Sequence, residues 1–221
     1  MIIKKDPSRP YKLSVSLLIT ILLAISVKMK FGFIDFLDTV MIGGVQHGQS
    51  GFEDKLFTAI SFLASPKMDI VWMIILAFFL WGCRYKIPAF WALCLLLGGD
   101  VLGTILKHVI ARPRPSLHLA ADDGFSFPSG HVLGTFLVVS VIWIVLVPVV
   151  KNSTNAWMIK TLLGLWLFLV MISRVYLNAH FPSDVIGGAF FAYTWLQIAE
   201  YLYLWVAPKL KNVKLFHNSL G

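Results

Sequence analysis

Six long apolar segments, separated by short polar stretches, constrain the fold of this 221-residue chain more than any other feature. They cover approximately residues 13–27, 70–83, 87–109, 132–150, 157–172 and 185–206. Each segment, with its flanks, is long enough to cross a bilayer as a helix. Only 14% of the residues are charged, about half of the ~25% typical of soluble domains. The pattern predicts an all-α integral membrane bundle of six transmembrane helices.

The length of the chain limits its organisation to one domain. Six crossings of about 20 residues each, plus connections, use nearly all of it. We therefore expect a single membrane-embedded domain over residues 1–221. Cys83 and Cys94 both lie within apolar sequence, and we expect them to be small buried apolar side chains rather than a disulfide or a metal pair.

The formal net charge of +8 is explained by membrane topology. Lysine and arginine are not gathered into a basic stripe, so no nucleic-acid partner is expected. With the amino terminus in the cytoplasm, most basic residues fall on the inner side, as the positive-inside rule requires. We predict a multi-pass protein of the cytoplasmic membrane with both termini cytoplasmic.

The connection between the first and second apolar segments is too polar and glycine-rich to cross the bilayer. Residues 31–41 place apolar side chains at helical spacing against Asp35 and Asp38, which predicts an interfacial helix on the outer side. A further apolar stretch, residues 56–64, ends at Pro66, where a helix breaks or begins.

Three polar islands interrupt the apolar segments at residues 107–115, 127–131 and 173–184. Under the predicted topology all three emerge on the outer side of the membrane. Together they supply cations, two histidines and a carboxylate, as expected for a site built at the ends of packed helices. The residues that we select from them are Lys107, Arg114, Ser129, Gly130, His131, Arg174, His180 and Asp184.

The cations of these islands suit a phosphate group. Lys107 supplies a point charge, and each of Arg114 and Arg174 can bind two phosphate oxygens at once. The N–H groups around Ser129 and Gly130 open the fourth apolar segment, and a helix N-terminus attracts anions. Asp184 is the only carboxylate of the three islands, so no Mg²⁺ or Zn²⁺ site is expected and no cofactor is predicted.

Two histidines permit in-line displacement at phosphorus. His180 is the expected nucleophile, because Asp184 follows four residues later and can accept a hydrogen bond from Nδ1, which leaves Nε2 free to attack. His131 is the expected general acid for the leaving oxygen. His131, His180 and Asp184 are therefore the predicted catalytic residues.

The three islands resemble the three motifs of the type 2 phosphatidic acid phosphatase superfamily, K-x6-R-P, P-S-G-H and S-R-x5-H-x3-D. Every defining position is filled, from Lys107 to Asp184. The resemblance implies a metal-independent phosphatase with a phosphohistidine on His180, His131 as acid and Asp184 as orienting base. It also implies that phosphate is bound by Lys107, Arg114, Ser129, Gly130 and Arg174.

The expected function is hydrolysis of a lipid phosphate or pyrophosphate at the outer face of the membrane. Undecaprenyl pyrophosphate, phosphatidylglycerophosphate and phosphatidic acid are all candidate substrates, and no obligate protein partner is evident. A lipid phosphotransferase that uses the same intermediate is one alternative. A membrane transporter is another, although it leaves the two histidines unexplained.

Several polar residues near the motifs receive less specific interpretations. We expect Arg112 to anchor a helix end in the interface, because the motif spacing selects Arg114 instead. His118, Asp122 and Asp123 are expected in a solvated loop, with contact to a lipid headgroup as the alternative. Asp100 lies within an apolar segment, on the helical face of Lys107, and is expected either to support the site through an intervening polar group or to serve in packing.

Overall fold

The computed structural model describes residues 2–47, 50–116 and 122–220, and within them the chain forms helices and loops without a β-strand. These residues contain eight α-helices: α1 (Arg9–Lys28), α2 (Gly32–Gln46), α3 (Gly51–Leu63), α4 (Pro66–Gly82), α5 (Lys86–Ile110), α6 (Gly130–Val141), α7 (Ser153–Tyr176) and α8 (Pro182–Leu210). A π-helical turn (Ile142–Leu146) and a 3₁₀ turn (Val147–Val149) extend α6. The all-α prediction is confirmed.

Four helices of the described chain are long and apolar enough to cross a membrane: α1, α5, the extended α6 and α7. The pair α3 and α4 is a fifth candidate, with a bend of 52° between its halves. α8 covers the sixth apolar segment over 29 residues, but Gln197 and Glu200 interrupt its apolar sequence. The protein is thus a multi-pass membrane protein, and the number of six spans stays a prediction.

Local sequence signals explain where several helices begin. Ser50 and Glu53 form a capping box at the start of α3, in which the Ser50 N–H donates to Glu53 Oε2 at 3.1 Å. The Ser65 hydroxyl accepts the Met68 N–H at the start of α4, and Pro66 occupies the first turn, where its missing N–H costs nothing. Pro66 therefore begins a helix, one of the two outcomes predicted for it.

The extended α6 is the innermost span. In its apolar stretch 61% of the residues are buried inside the protein, against 11% in α7. Its side chains Leu133 and Leu137 pack with Met73 of α4 and Leu95 of α5 in the main core. α8 crosses this core and also packs along α1. A residue at the N-terminus of α6 is consequently held by helices on several sides.

The prediction of buried cysteines is wrong. Cys83 and Cys94 are free thiols on exposed parts of the helix surface. Apolar sequence around a residue does not imply burial in a membrane bundle, because the lipid-facing sides of the helices are apolar as well.

The predicted helix between the first two apolar segments is present as α2. It packs against α7 and α8, and Asp38 is its one buried residue. Ile34, Ile42 and Val45 lie partly buried on the same side of the helix. Its location in the membrane interface stays a prediction.

Candidate active site

The three polar islands meet at one end of the helix bundle. Arg114, from the first island, donates from Nη1 to the Ala179 carbonyl of the third at 2.7 Å. Ser129, from the second, donates its N–H to the Asp184 carbonyl at 3.1 Å. The chain turns out of α5 at Ala111, which has the left-handed φ of 54° that often ends a helix. The predicted convergence of the motifs is therefore present.

Two glycines in the first turns of α8 allow this convergence. A Cβ atom at Gly187 would lie 2.4 Å from the ring of Phe127, and one at Gly188 would lie 2.9 Å from the Ser129 carbonyl oxygen. Both distances are shorter than atoms of a real side chain can sustain. Glycine at these positions lets α8 lie directly against the second island, which places His180 and His131 around one site.

His180 lies in the loop before α8 and is 1% exposed. Its Nε2 is 3.3 Å from Arg114 Nη1, and its Nδ1 is 3.7 Å from Asp184 Oδ2. The second distance exceeds that of a hydrogen bond. The predicted His180–Asp184 pairing is thus seen as proximity, and a shift of less than 1 Å would form the bond.

Burial is the main cause that lowers the pKa of His180 to about 4, and the Asp184 carboxylate opposes this shift. The imidazole is therefore neutral at pH 7. A neutral imidazole has one ring nitrogen with a free lone pair, which is what nucleophilic attack requires. The environment of His180 thus favours the role that the sequence predicts for it.

Asp184 is held on both carboxylate oxygens. Its Oδ2 accepts the Phe181 N–H at 2.9 Å, and its Oδ1 accepts from Arg112 Nη1 at 2.7 Å. The first bond also caps the N-terminus of α8. Asp184 is completely buried, so this double anchoring keeps a carboxylate charged and fixed in orientation beside His180.

Lys107 and Arg114 are fixed by the loop that follows α5. Lys107 Nζ donates to the Phe125 carbonyl at 2.9 Å, and Arg114 donates from Nη2 to the Asp123 carbonyl at 2.9 Å. Within the described residues neither side chain forms an ion pair with a carboxylate, so neither positive charge is neutralised by direct contact. Such charges favour the binding of an anion.

Arg174 is almost fully buried at the end of α7. One of its terminal nitrogens donates to the Ser61 hydroxyl of α3, and the other lies 2.5 Å from Asp122 Oδ1. Asp122 is one of the loop residues expected to be solvated, and it instead pairs with a predicted phosphate ligand. Ser61 was not selected from the sequence at all.

The second island supplies a helix N-terminus, as predicted, but with one difference. The Ser129 N–H is used by the Asp184 carbonyl and so is not available to a ligand. The Ser129 hydroxyl is buried and has no partner in the described protein. A contact of Ser129 with phosphate would therefore come from its Oγ, with the N–H groups of Gly130 and His131 in the first turn of α6 beside it.

Buried polar atoms without a protein partner are concentrated at this site. Among the described residues five such atoms occur, and three of them are Ser129 Oγ, Arg174 Nε and His180 Nδ1. The other two lie on Asp69 and Tyr203. Since unpaired buried polar groups are costly, Ser129 Oγ and Arg174 Nε mark places where a bound group would be stabilised, whereas His180 Nδ1 faces Asp184.

The expectation for Arg112 is wrong. Its guanidinium is not an interfacial anchor: it lies between Asp38 and Asp184 at 2.7 Å from each and stacks over the Phe181 ring at 3.9 Å from the centroid. The sequence places Asp38 on the polar face of α2, whereas in the structure it lies on the side of Ile34 and Ile42, which packs on the protein. Helical spacing relates Asp38 to these two residues, but it does not show that this side is the one that packs.

Two further expectations concern the surroundings of the site. His118 lies outside the described residues. Asp100 lies on α5 and is partly buried. Its side chain makes no hydrogen bond or ion pair with another described residue, so no intervening polar group that would connect it to the site is found among those residues. No group of three or more His, Cys, Asp or Glu side chains suited to a metal ion occurs in the part of the chain that the structure describes.

Comparison with known proteins decides the family. The profile of the PAP2 superfamily matches residues 88–208, more than half of the chain. The chain belongs to the PAP2 superfamily. The matched region contains all three motifs, so the resemblance stated from the motifs is confirmed.

Individual relatives agree with this assignment. Phosphatidylglycerophosphatase B of Bacillus subtilis is 41% identical over 97 residues, which cover 42% of this chain and 48% of the relative. The putative undecaprenyl-diphosphatase YbjG of Escherichia coli is 26% identical over 136 residues, 58% of this chain and 63% of the relative. The chain thus spans about half the length of the first of these curated relatives.

A solved structure shares the fold. The crystal structure of the transmembrane PAP2-type phosphatidylglycerolphosphate phosphatase from Bacillus subtilis superposes with a TM-score of 0.73 at 26% identity, covering 92% of this chain and 100% of the other. The superposed part of the chain is therefore larger than the region that the profile matches, residues 88–208.

Proposed function

We propose that this protein is a membrane lipid phosphatase that removes a terminal phosphate through a phosphohistidine intermediate. One observation carries the proposal: a buried neutral histidine, His180, lies near three buried or half-buried cations. In the same site, Ser129 Oγ and Arg174 Nε are buried and have no partner among the described residues. The membrane-spanning helices below the site suit a substrate whose phosphate stands at the interface and whose chains lie in the bilayer.

In the first step, His180 Nε2 attacks phosphorus and the bond from phosphorus to the leaving oxygen breaks. His131 donates the proton that this oxygen takes up. In the second step, water attacks the phosphorus of the phosphohistidine, and His131 accepts a proton from this water. The bond from phosphorus to His180 Nε2 breaks, so inorganic phosphate leaves and His180 is restored. Lys107, Arg114 and Arg174 compensate the negative charge on the phosphoryl oxygens in both steps.

The names of the relatives support a proposal for the substrate class. They are phosphatidylglycerophosphatase B and putative undecaprenyl-diphosphatase, and we propose phosphatidylglycerophosphate and undecaprenyl pyrophosphate as substrates here, with phosphatidic acid as a third candidate. The test is release of inorganic phosphate from each lipid by the protein purified in detergent. Phosphate that appears on a second lipid instead of in water would identify a phosphotransferase.

We propose that the reaction needs no metal ion, since Lys107, Arg114, Arg174 and the N-terminus of α6 supply positive charge around the site. We expect phosphate release to survive excess EDTA without loss. Activity that is lost on chelation and restored by Mg²⁺ would contradict this part of the proposal.

We propose six spans, with both termini in the cytoplasm and the site on the outer side of the cytoplasmic membrane. The basic residues of the termini support this orientation. The test is thiol labelling of intact cells, in a background where Cys83 and Cys94 are replaced by serine. A cysteine at Ser116 should label from outside and one at Asn152 should not, and the reverse result would invert the topology.

A further inference from the structure

The one buried side chain of α2 is a carboxylate. Asp38 is 2% exposed, whereas the aromatic side chains Phe33 and Phe36 on other faces of the helix are 70% and 62% exposed. A helix that packs on a protein normally buries apolar side chains. Burial of a charged group is costly unless it is paired and hydrogen-bonded, so the partners of Asp38 are informative.

Asp38 reaches from α2 to the start of α8. Its Oδ1 accepts the Ser183 N–H at 2.8 Å, and its Oδ2 accepts the Ser183 hydroxyl at 2.7 Å. Ser183 is the residue between the N-terminal Pro182 of α8 and Asp184. Asp38 therefore caps α8 from another helix and fixes the backbone that carries Asp184.

Arg112 connects the same carboxylate to the catalytic pair. Nη2 donates to Asp38 Oδ2, and Nη1 donates to Asp184 Oδ1, each at 2.7 Å. Nη1 also lies 2.7 Å from the Ser183 hydroxyl, which passes its own hydrogen to Asp38. The side chain of Arg112 is 10% exposed, so this charged network lies mostly away from water.

The network determines how Asp184 faces His180. With Oδ1 held by Arg112 and Oδ2 held by the Phe181 N–H, the carboxylate cannot rotate, and Oδ2 remains the oxygen near His180 Nδ1. A fixed carboxylate selects the tautomer of the histidine that leaves Nε2 free. Loss of either anchor would release this orientation.

We propose that Asp38 and Arg112 are positioning residues for the His180–Asp184 pair, and that α2 is thereby part of the catalytic unit. The inference rests on the proposed function. Both residues act through Asp184, to which Arg112 is hydrogen-bonded directly and Asp38 through Arg112. Arginine is required because its planar fork directs parallel donors at two carboxylates while its face stacks on Phe181, which an ammonium group does not reproduce.

The test compares variants purified in detergent, assayed with short-chain phosphatidic acid, phosphatidylglycerophosphate and undecaprenyl pyrophosphate. The variants are Asp38→Asn, Arg112→Lys and Arg112→Gln. Asp35→Asn is the matched control: it lies on the same helix 3.9 Å from Arg112 Nη2, but its side chain is 59% exposed. Phosphate release by the unsubstituted chain is measured first, and its absence from all three lipids would contradict the proposed function and with it this inference.

Misplacement of a catalytic group by about 1 Å can lower the rate by up to ~100-fold. We expect kcat to fall by about 100-fold in Arg112→Gln and about tenfold in Asp38→Asn and Arg112→Lys, with KM within about twofold of the unsubstituted value. Asp35→Asn should change kcat by less than about twofold. The rate of phosphoenzyme formation should fall in parallel with kcat.

A second comparison separates positioning from simple support of the fold. If Asp38 acts through Asp184, then Asp38→Asn should cost little further kcat in an Asp184→Asn background, because coupled residues are not additive. If the kcat losses of Asp38→Asn and Asp184→Asn multiply in the double variant, the inference is overturned while the proposed function stands. Unchanged kcat in Asp38→Asn and Arg112→Lys would overturn it as well. Arg112→Lys keeps the charge, so it provides the comparison if Asp38→Asn yields little folded protein.

Discussion

The two ends of the helix bundle both bury arginines beside carboxylates, yet they differ in how completely the buried polar groups are hydrogen-bonded. At the end that holds the chain termini, Arg9 Nε donates to Glu200 Oε2 at 3.0 Å and Arg9 Nη2 donates to the Lys4 carbonyl. At the other end, Arg174 pairs with Asp122, but its buried Nε has no partner among the described residues. In that part of the chain His180 Nδ1 and Ser129 Oγ likewise lack a hydrogen-bond partner.

This difference shows which feature of a buried charge marks function. In the Arg9–Glu200 ion pair the two charged groups satisfy each other, and the pair joins α1 to α8. The end that holds the three motifs contains ion pairs as well, but among the described residues it also leaves several buried polar atoms without a hydrogen-bond partner. In a membrane bundle, where each charge must find a partner, unpartnered atoms that cluster are therefore more informative than the charges themselves.

The largest difference between the two ends should appear on removal of the nucleophile. His180→Ala should lower phosphate release by roughly 10⁴-fold or more, because no other group replaces the attacking nitrogen. Acid-labile phosphoenzyme, trapped by rapid quenching, should disappear with it. Asp184→Asn should give an intermediate loss, since the nucleophile remains but its tautomer is not enforced.

The matched variant at the opposite end is Glu200→Gln, which should leave phosphoenzyme formation per folded molecule intact. Phosphate trapped on His131 in His180→Ala would show that the roles of the two histidines are exchanged, although the reaction class would stand.

The second-largest expected effect is that of His131→Ala, and its size depends on the substrate. His131→Ala should slow turnover of a lipid phosphate by about 10²–10⁴-fold, the usual contribution of general acid catalysis. With a nitrophenyl phosphate the loss should be much smaller, because that leaving group needs little protonation. Equal losses with the two substrates would show that His131 binds phosphate rather than donating a proton.

Much of this site was predictable from sequence because the signals are local. Spacing of four residues places Asp184 near His180 on the first turn of α8, and Pro182 marks where that helix starts. The apolar segments likewise predict their helices. Each of these inferences uses residues close together along the chain.

The contacts that were missed join distant parts of the chain. Arg112 and Asp38 are 74 residues apart, and Arg174 and Ser61 are 113 apart. Periodicity places Asp38 on a helix but does not show what that helix packs against, so its carboxylate was assigned to the polar face. The sequence does not predict the partner of the Ser129 N–H for the same reason, since this N–H donates to the carbonyl of Asp184 in another motif.

The closed pair at the opposite end should affect stability rather than catalysis. Arg9→Leu leaves Glu200 buried without its cation, which typically costs about 3–5 kcal/mol. We expect a corresponding loss in thermal unfolding measured in detergent, with kcat per folded molecule unchanged. Replacement of both residues by leucine should recover most of the stability. A loss of kcat at full stability would show that the two ends are coupled.

A smaller effect is expected in the pH dependence of stability and of phosphoenzyme formation, which tests the environment of His180. The lowered pKa of His180, about 4, means that the unfolded chain binds its proton more readily than the folded one between pH 6.5 and 4. Stability should therefore fall as the pH drops through this range. Phosphoenzyme formation should persist to about pH 5 and decline near pH 4, once the second ionisation of the phosphate, near ~6, is fitted separately. A decline centred at 6.5 would indicate a solvated imidazole.

The smallest expected effect concerns Asp122, whose carboxylate lies 2.5 Å from Arg174 Nη2. A carboxylate at this position competes with phosphate for the same guanidinium, and it adds a negative charge near a site for anions. Asp122→Asn should therefore lower the inhibition constant of inorganic phosphate by a few-fold, about what one partly exposed charge contributes. Asp123→Asn is the matched control, because Arg114 donates its hydrogen bonds to the backbone carbonyl of Asp123 and not to its side chain. Weaker inhibition in Asp122→Asn would show that the carboxylate orients Arg174 for phosphate instead of competing with it.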